Sequence, residues 1–168
     1  MVAPNSRALL LGRILRAADF ERVLQAGSRA RSHWFALHHV AAEPSRAGAH
    51  KLSTACPPDG HRVVDEAVEP PGGHWLGLVV PKRLARRAVT RNLVKRLGRA
   101  SLAEQLSGAQ PLPPGLWVLR LRSPIDRKQY PSARSESLRL ALREDLQTLW
   151  RRALNPRPAG AKPKAVAA

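Results

Sequence analysis

Trp75-Leu76-Gly77-Leu78-Val79-Val80-Pro81-Lys82-Arg83-Leu84-Ala85-Arg86-Arg87-Ala88-Val89-Thr90-Arg91-Asn92-Leu93-Val94-Lys95-Arg96-Leu97-Gly98-Arg99 reads as a buried strand that delivers the chain into a basic helix. A short, continuous apolar run such as Trp75 to Val80 suits a strand covered on both faces, and Pro81 marks its end. From Arg86 to Gln105 the residues follow helical spacing, with Gly98 the one interruption. At about 100° per residue, Arg87, Arg91, Lys95 and Arg99 climb one face while Val89, Leu93, Leu97 and Ala100 occupy another. One face is expected to dock and the other to meet anions.

Upstream, Phe20, Val23 and Leu24 share one face of a short helix between Arg16 and Gly27, and Gly27 suits the left-handed residue that ends a helix. His33 to Val40 alternates as a strand, with Phe35 and Leu37 to one side and Trp34, Ala36 and Val40 to the other. Residues 41–74 are rich in Pro, Gly and Ala without a sustained period, so a long surface loop is expected there. Parts of Lys51 to Thr54 or His61 to Val64 could add to a hairpin. Downstream, Leu116 to Leu121 reads as a further strand. Leu138, Leu142, Leu146, Leu149 and Ala153 then recur at helical spacing, with Ser135 placed to cap the first turn.

Strands alternating with helices imply an α/β (α+β) two-layer sandwich with a small central sheet, in the order helix, strand, strand, helix, strand, helix. Residues 13–154 form the expected domain. Residues 1–12 read as a flexible N-terminus and 155–168, made of Pro, Ala and Lys, as a disordered tail. No internal repeat is present.

The 168 residues carry 29 Lys and Arg against 12 Asp and Glu, a formal net charge of +17. Self-repulsion on that scale opposes compaction, and a polyanion relieves it by exchanging condensed counterions for basic side chains. No apolar run approaches the roughly 20 residues a membrane-spanning helix needs. Ala8 to Leu11 is too short for a secretory apolar region, and Arg13 and Arg16 follow at once. The single Cys56 makes neither an internal disulfide nor a recognisable metal motif, which fits a reducing cytoplasm.

Within the basic helix no acid interrupts the stretch between Glu69 and Glu104. Like charges four residues apart weaken an isolated helix by a few tenths of a kcal/mol per pair, so the stripe is costly unless an anion meets it. Lys and Arg grip phosphates. Asn92 offers a donor and an acceptor, for a base edge, a 2′-hydroxyl or the backbone of a neighbouring loop, and both readings stay open.

Arg91-Asn92-Leu93-Val94-Lys95-Arg96, preceded by Lys82-Arg83 and Arg86-Arg87 just after an apolar strand, resembles the arginine-asparagine-arginine signature of bacterial ribonuclease P proteins. The resemblance extends over Asp19-Phe20, Phe35, Leu116 to Leu121 and a last helix ending Leu149-Trp150-Arg151-Arg152, covering roughly Gly12 to Leu154. Leu93 departs from the pattern, which usually repeats arginine there, so that contact must be absent or supplied by a neighbour.

The resemblance implies a left-handed strand-helix-strand crossover around the basic helix, where chain sterics alone would favour the right-handed form. It also implies that Lys82, Arg83, Arg86, Arg87, Arg91, Asn92, Lys95, Arg96 and Arg99 contact a catalytic RNA. A cleft between the first helix and the sheet would hold the single-stranded 5′ leader of precursor tRNA, with Phe20 and Phe35 as cleft candidates. Aromatic faces accept stacked bases of any sequence, although Phe at such spacing is also ordinary core. The four Trp residues, Trp34, Trp75, Trp117 and Trp150, read as core. The family's chemistry is endonucleolytic removal of the leader by the RNA. The protein supplies no catalytic side chain and binds no cofactor alone, Mg2+ is required by the RNA-containing holoenzyme, and no protein partner is implied.

Other readings are a ribosomal-type RNA-binding protein, a helix-turn-helix DNA binder and a protein nuclease. The strand running into the basic helix at Pro81 argues against the second, since that motif joins its recognition helix to another helix. The acids and histidines show no metal-ligand spacing in sequence, which argues against the third.

Overall fold

The computed structural model describes residues 11–45, 72–108, 110, 112–132 and 135–155. Their elements are β1 (Leu11–Arg13), α1 (Ala17–Gln25), β2 (Ala30–Arg31), β3 (Phe35–Val40), β4 (His74–Val79), α2 (Ala88–Leu106), β5 (Gly115–Leu121) and α3 (Glu136–Leu154). The strands form one mixed sheet in the order β1-β4-β5-β3-β2. β1, β4 and β5 run parallel, whereas β3 is antiparallel to both β5 and β2.

Strand alternation sorts the sheet's side chains between two cores. Phe35, Leu37, Leu76, Trp117, Leu119 and Leu121 face α2 and α3. Leu116 and Val118, with Val40, Trp75 and Val79, face α1. The fold is thus the expected α+β sandwich, with α1 adding cover to part of the second face. Two strands go beyond the expected order: β1, which takes in Leu11 and Gly12 from the stretch read as N-terminal tail, and the two-residue β2. Neither is long enough to carry a period. Cys56, the two hairpin candidates and residues 156–168 lie outside the described residues.

Helix ends follow the local chemistry. Gly27, just past α1, has φ +86°. Ser135 caps α3, its side chain accepting from the Leu138 backbone N–H at 3.3 Å.

The docking face of α2 differs from the expected one. Thr90, Val94, Leu97, Gly98, Ser101 and Leu102 are buried, while Val89 is 50% exposed and Ala100 is exposed. Small residues win because the helix lies close to the strands. A Cβ on Gly98 would stand 2.8 Å from Leu119 and 3.0 Å from Leu78. Ser101 accepts from the Trp150 indole N–H at 3.1 Å and donates to the Gly98 carbonyl at 2.9 Å.

Trp117 and Trp150 are core, their centroids 5.6 Å apart, whereas Trp34 and Trp75 are only partly buried. α3 is also pinned to the turn before β3. Asp145 accepts from the Ser32 hydroxyl at 2.6 Å and from the backbone N–H groups of His33 and Trp34 at 3.1 and 3.0 Å. Asp145→Ala strips all three donors of their acceptor and should cost about 1–3 kcal/mol. Urea unfolding measures this, and an unchanged midpoint would mean that the turn holds without α3.

Two strand histidines are kept neutral. His38 is pulled below its ordinary pKa by burial and by Arg120 and Arg31, against the opposing effect of its hydrogen bond to the Gly27 carbonyl. His39, stacked 4.2 Å from Trp117 and bonded to the Pro114 carbonyl, is lowered by burial, Arg29 and His74. A lowered folded pKa means that the unfolded chain binds protons more readily. The corresponding stability is therefore full above about pH 6.5 and declines as pH falls through that value. The melting temperature should drop between pH 7.5 and 5.5, and drop less in His39→Gln. An equal drop in that variant would assign the effect to other groups.

Candidate nucleic-acid interface

β4 ends at Val79, and the chain crosses a tight turn before α2. The Leu84 and Ala85 N–H groups both bond the Pro81 carbonyl, at 3.1 and 3.2 Å. Arg91 folds back onto this turn, donating to the carbonyls of Ala85 and Arg86 at 3.1 and 2.7 Å. Arg87 donates to the Pro131 carbonyl. These two members of the expected anion stripe therefore brace the entry to α2. Their guanidinium groups keep their charge but have spent donors on the backbone.

The remaining signature residues are freer. Lys82, Arg83, Arg86, Asn92, Arg96 and Arg99 are exposed, and Lys95 is half-buried. Asn92, Lys95, Arg96 and Arg99 fall within about one third of the helix circumference, opposite Thr90, Val94 and Ser101. The exposed basic stripe is thus centred on Asn92, Arg96 and Arg99, rotated from the expected line through Arg87 and Arg91. No acid lies in the first turn of α2. The described residues contain only two side-chain ion pairs, Arg22 with Asp19 and Arg139 with Glu136.

On the α1 face of the sheet, Ala36, Arg120 and Val79 form one cross-strand row, of which only Val79 packs against the α1 core. A cavity of about 210 Å3 opens there, with Arg31, Arg83, Arg120 and Arg122 around Ala36 and His38. The Gly27 carbonyl can only accept, so neutral His38 donates from Nδ1 and keeps Nε2 as an acceptor. This is a basic cleft with one neutral reader in its wall. Arg31, Arg120 and Arg122 belong to it, although they carry no motif. Strand alternation around Arg120 was the one signal that could have found them.

The two cleft phenylalanines part company. Phe20 is half-buried over Gly77, where a Cβ would stand 2.4 Å from its ring. That places Phe20 one row from Arg120, against the α1 core and beside the cleft rather than in its lining. Phe35 is fully buried in the core beneath α3, on the opposite face of the sheet, so it is corrected to a core residue that no ligand reaches. The odd-numbered side of β3 faces the helices and the even-numbered side faces the cleft.

Asp19, also part of the resemblance, is buried with a structural task. It accepts from the Ser45 hydroxyl at 2.7 Å, the Ser45 N–H at 3.0 Å and Arg22 at 3.2 Å, tying the exit of β3 to α1. Among the described residues no helix is long and apolar enough to cross a membrane. Nor, among them, do three or more His, Cys, Asp or Glu side chains group so as to hold a metal ion.

The family model described as Ribonuclease P matches residues 11–153. The ribonuclease P protein component of Paraburkholderia xenovorans (strain LB400) is 42% identical over 76 residues, 44% of this chain and 51% of that protein. That of Burkholderia mallei (strain SAVP1) is 41% identical over 92 residues, 52% of this chain and 64% of the relative. The chain thus spans about half to two thirds of the length of these relatives. Among solved structures, the Staphylococcus aureus RNase P protein aligns over 84% of this chain and 94% of its own, at 18% identity and a TM-score of 0.47. With a strand, a braced turn and a basic helix that carries no acid before Glu104 in one matched stretch, and the family match running from β1 to α3, this chain belongs to the bacterial ribonuclease P protein family.

Proposed function

We propose that the chain is the protein subunit of a ribonuclease P ribonucleoprotein, and that it holds the catalytic RNA with α2 and the 5′ leader of precursor tRNA in the Arg120 cleft. The observation that carries this is the acid-free exposed face of Asn92, Lys95, Arg96 and Arg99, lying beside a second basic surface on the sheet. Two basic surfaces on one small domain suit a protein that joins two RNA strands. On α2, Lys and Arg meet phosphates while Asn92 is available to a base edge or 2′-hydroxyl.

The cleft serves leaders of differing sequence because its groups are largely indifferent to base identity. Arg31, Arg120 and Arg122 attract backbone, Phe20 offers part of a ring, and only His38 presents a single directional acceptor. Leader hydrolysis is assigned to the RNA, with its magnesium ions. The three described aspartates support that assignment: Asp19 and Asp145 hold the chain's own backbone, and Asp126 accepts from the Lys128 N–H at 2.8 Å. The protein's contribution is to bring the substrate to the RNA and lower the magnesium concentration needed, in the cytoplasm where tRNA is made.

Cleavage of a precursor tRNA by a bacterial ribonuclease P RNA at low magnesium, with and without the purified protein, tests the reading. Stimulation is expected only from the combination. Absence of stimulation with a cognate RNA would favour a ribosomal-type RNA binder, and cleavage by protein alone would locate the chemistry on the polypeptide.

Arg96→Ala and Arg99→Ala should each weaken affinity for the catalytic RNA and lower the slope of log affinity against log salt by about 1. Arg91→Ala should instead lower the melting temperature, because it frees two carbonyls of the entry turn. An unaltered salt slope in the first two variants would remove the outer face of α2 from the interface.

A further inference from the structure

We propose that a second cavity, of about 500 Å3 between the entry turn of α2 and the β5–α3 connection, is a seat for one unpaired nucleotide of the catalytic RNA. The inference rests on the subunit reading above and adds a recognition element that the signature residues do not include.

The cavity is bipartite. Leu84, Ile125 and Tyr130 give it an apolar wall, and Arg83, Arg86, Arg127 and Lys128 surround it with charge. All four bases are exposed, and none forms an ion pair within the described residues. The one acid in the lining is Asp126, whose carboxylate accepts from the Lys128 backbone. An ordinary solubilising loop would interleave acids with bases. This arrangement leaves an apolar wall inside positive charge, which matches a base with its flanking phosphates.

The walls are also held in place. Ile125 donates to the Leu84 carbonyl at 2.9 Å, so the two connections that make the cavity are bonded backbone to backbone. The Tyr130 N–H bonds the Asp126 carbonyl at 3.0 Å, and Arg87 ties the first turn of α2 to Pro131. A preformed concavity loses little on binding, and its volume lies within the range of small-ligand sites. A duplex cannot enter it, whereas an unstacked nucleotide can. Arg86 and Arg87, at the entry to α2, also line the cavity, so its occupant lies next to the helix assigned to the catalytic RNA. Arg83 and Leu84 line both this cavity and the leader cleft, forming the ridge that separates them.

Two measurements test the seat. In the first, the full chain is titrated with uridine 5′-monophosphate or with inorganic phosphate while backbone amide signals are followed. Saturable shifts at Leu84 and Ile125 with the nucleotide, and only at Arg127 and Lys128 with phosphate, are expected. Identical responses would reduce the cavity to a phosphate patch and overturn the seat. In the second, the double variant Arg127→Ala/Lys128→Ala should bind a bacterial ribonuclease P RNA several-fold more weakly, with a salt slope lower by about 2. If that variant binds like the unaltered chain while Arg96→Ala/Arg99→Ala does not, the seat is refuted and the subunit reading stands. If neither double variant loses affinity, the subunit reading fails with it. Loss confined to precursor binding would place the nucleotide in the wrong RNA and overturn the assignment.

Discussion

The geometry of α2 rests on the buried hydrogen bond between the Trp150 indole and Ser101, at 3.1 Å. Ser101 passes it on to the Gly98 carbonyl, and Trp150 packs 5.6 Å from Trp117, so α2, α3 and β5 are locked at one point. Such a bond contributes about 1 kcal/mol and the ring pair about 0.5–1.5 kcal/mol more. The lock matters because the opposite face of α2 is a row of bases that repel one another. A helix held only by a broad apolar stripe could roll. Here the absent side chain of Gly98 and the directional Ser101 bond fix which residues face outward.

The acid shortage shapes how the remaining arginines are satisfied. Arg29, Arg91, Arg122 and Arg152 all donate to backbone carbonyls, of Ala153, Ala85 and Arg86, Ser32 and Arg31 respectively. A carboxylate partner would cancel the charge, whereas a carbonyl satisfies the donors and leaves the charge in place. These arginines hold connections together and still add to the positive field that draws a polyanion. Within the signature, Arg87 and Arg91 are such bracing residues, whereas Arg96 and Arg99 are exposed.

Long elements with a clear period were legible in the sequence, including the alternation of β3, the buried run of β4, the heptad-like leucines of α3 and its Ser135 cap. What escaped was set by packing between elements. Strands β1 and β2 exist because β4 and β3 offer them unpaired edges, a fact no three-residue window contains. The docking face of α2 was misread because Val89 is more apolar than Thr90 or Ser101, yet small polar side chains permit closer approach and Val89 is left half-exposed. Phe35 carried a correct alternation and an incorrect role, since alternation says which residues share a face but not which face a helix will cover. Arg127 and Lys128 lie in a connection with no period at all, and tertiary bonds, Ile125 to Leu84 and Arg87 to Pro131, bring them to the signature turn.

Leu93 shows how such a surface tolerates the loss of a basic side chain. It packs against the core and lines a groove of about 180 Å3 between α2 and α3, beside Arg96, Arg139 and Arg143. Arg139 is paired with Glu136 only loosely, at 3.7 Å with both side chains exposed, an arrangement worth little in water. An arginine at position 93 would have pointed into space that two arginines of α3 already border. The departure from the family pattern therefore removes a side chain without emptying the groove of charge, and gives α2 one more apolar contact against α3.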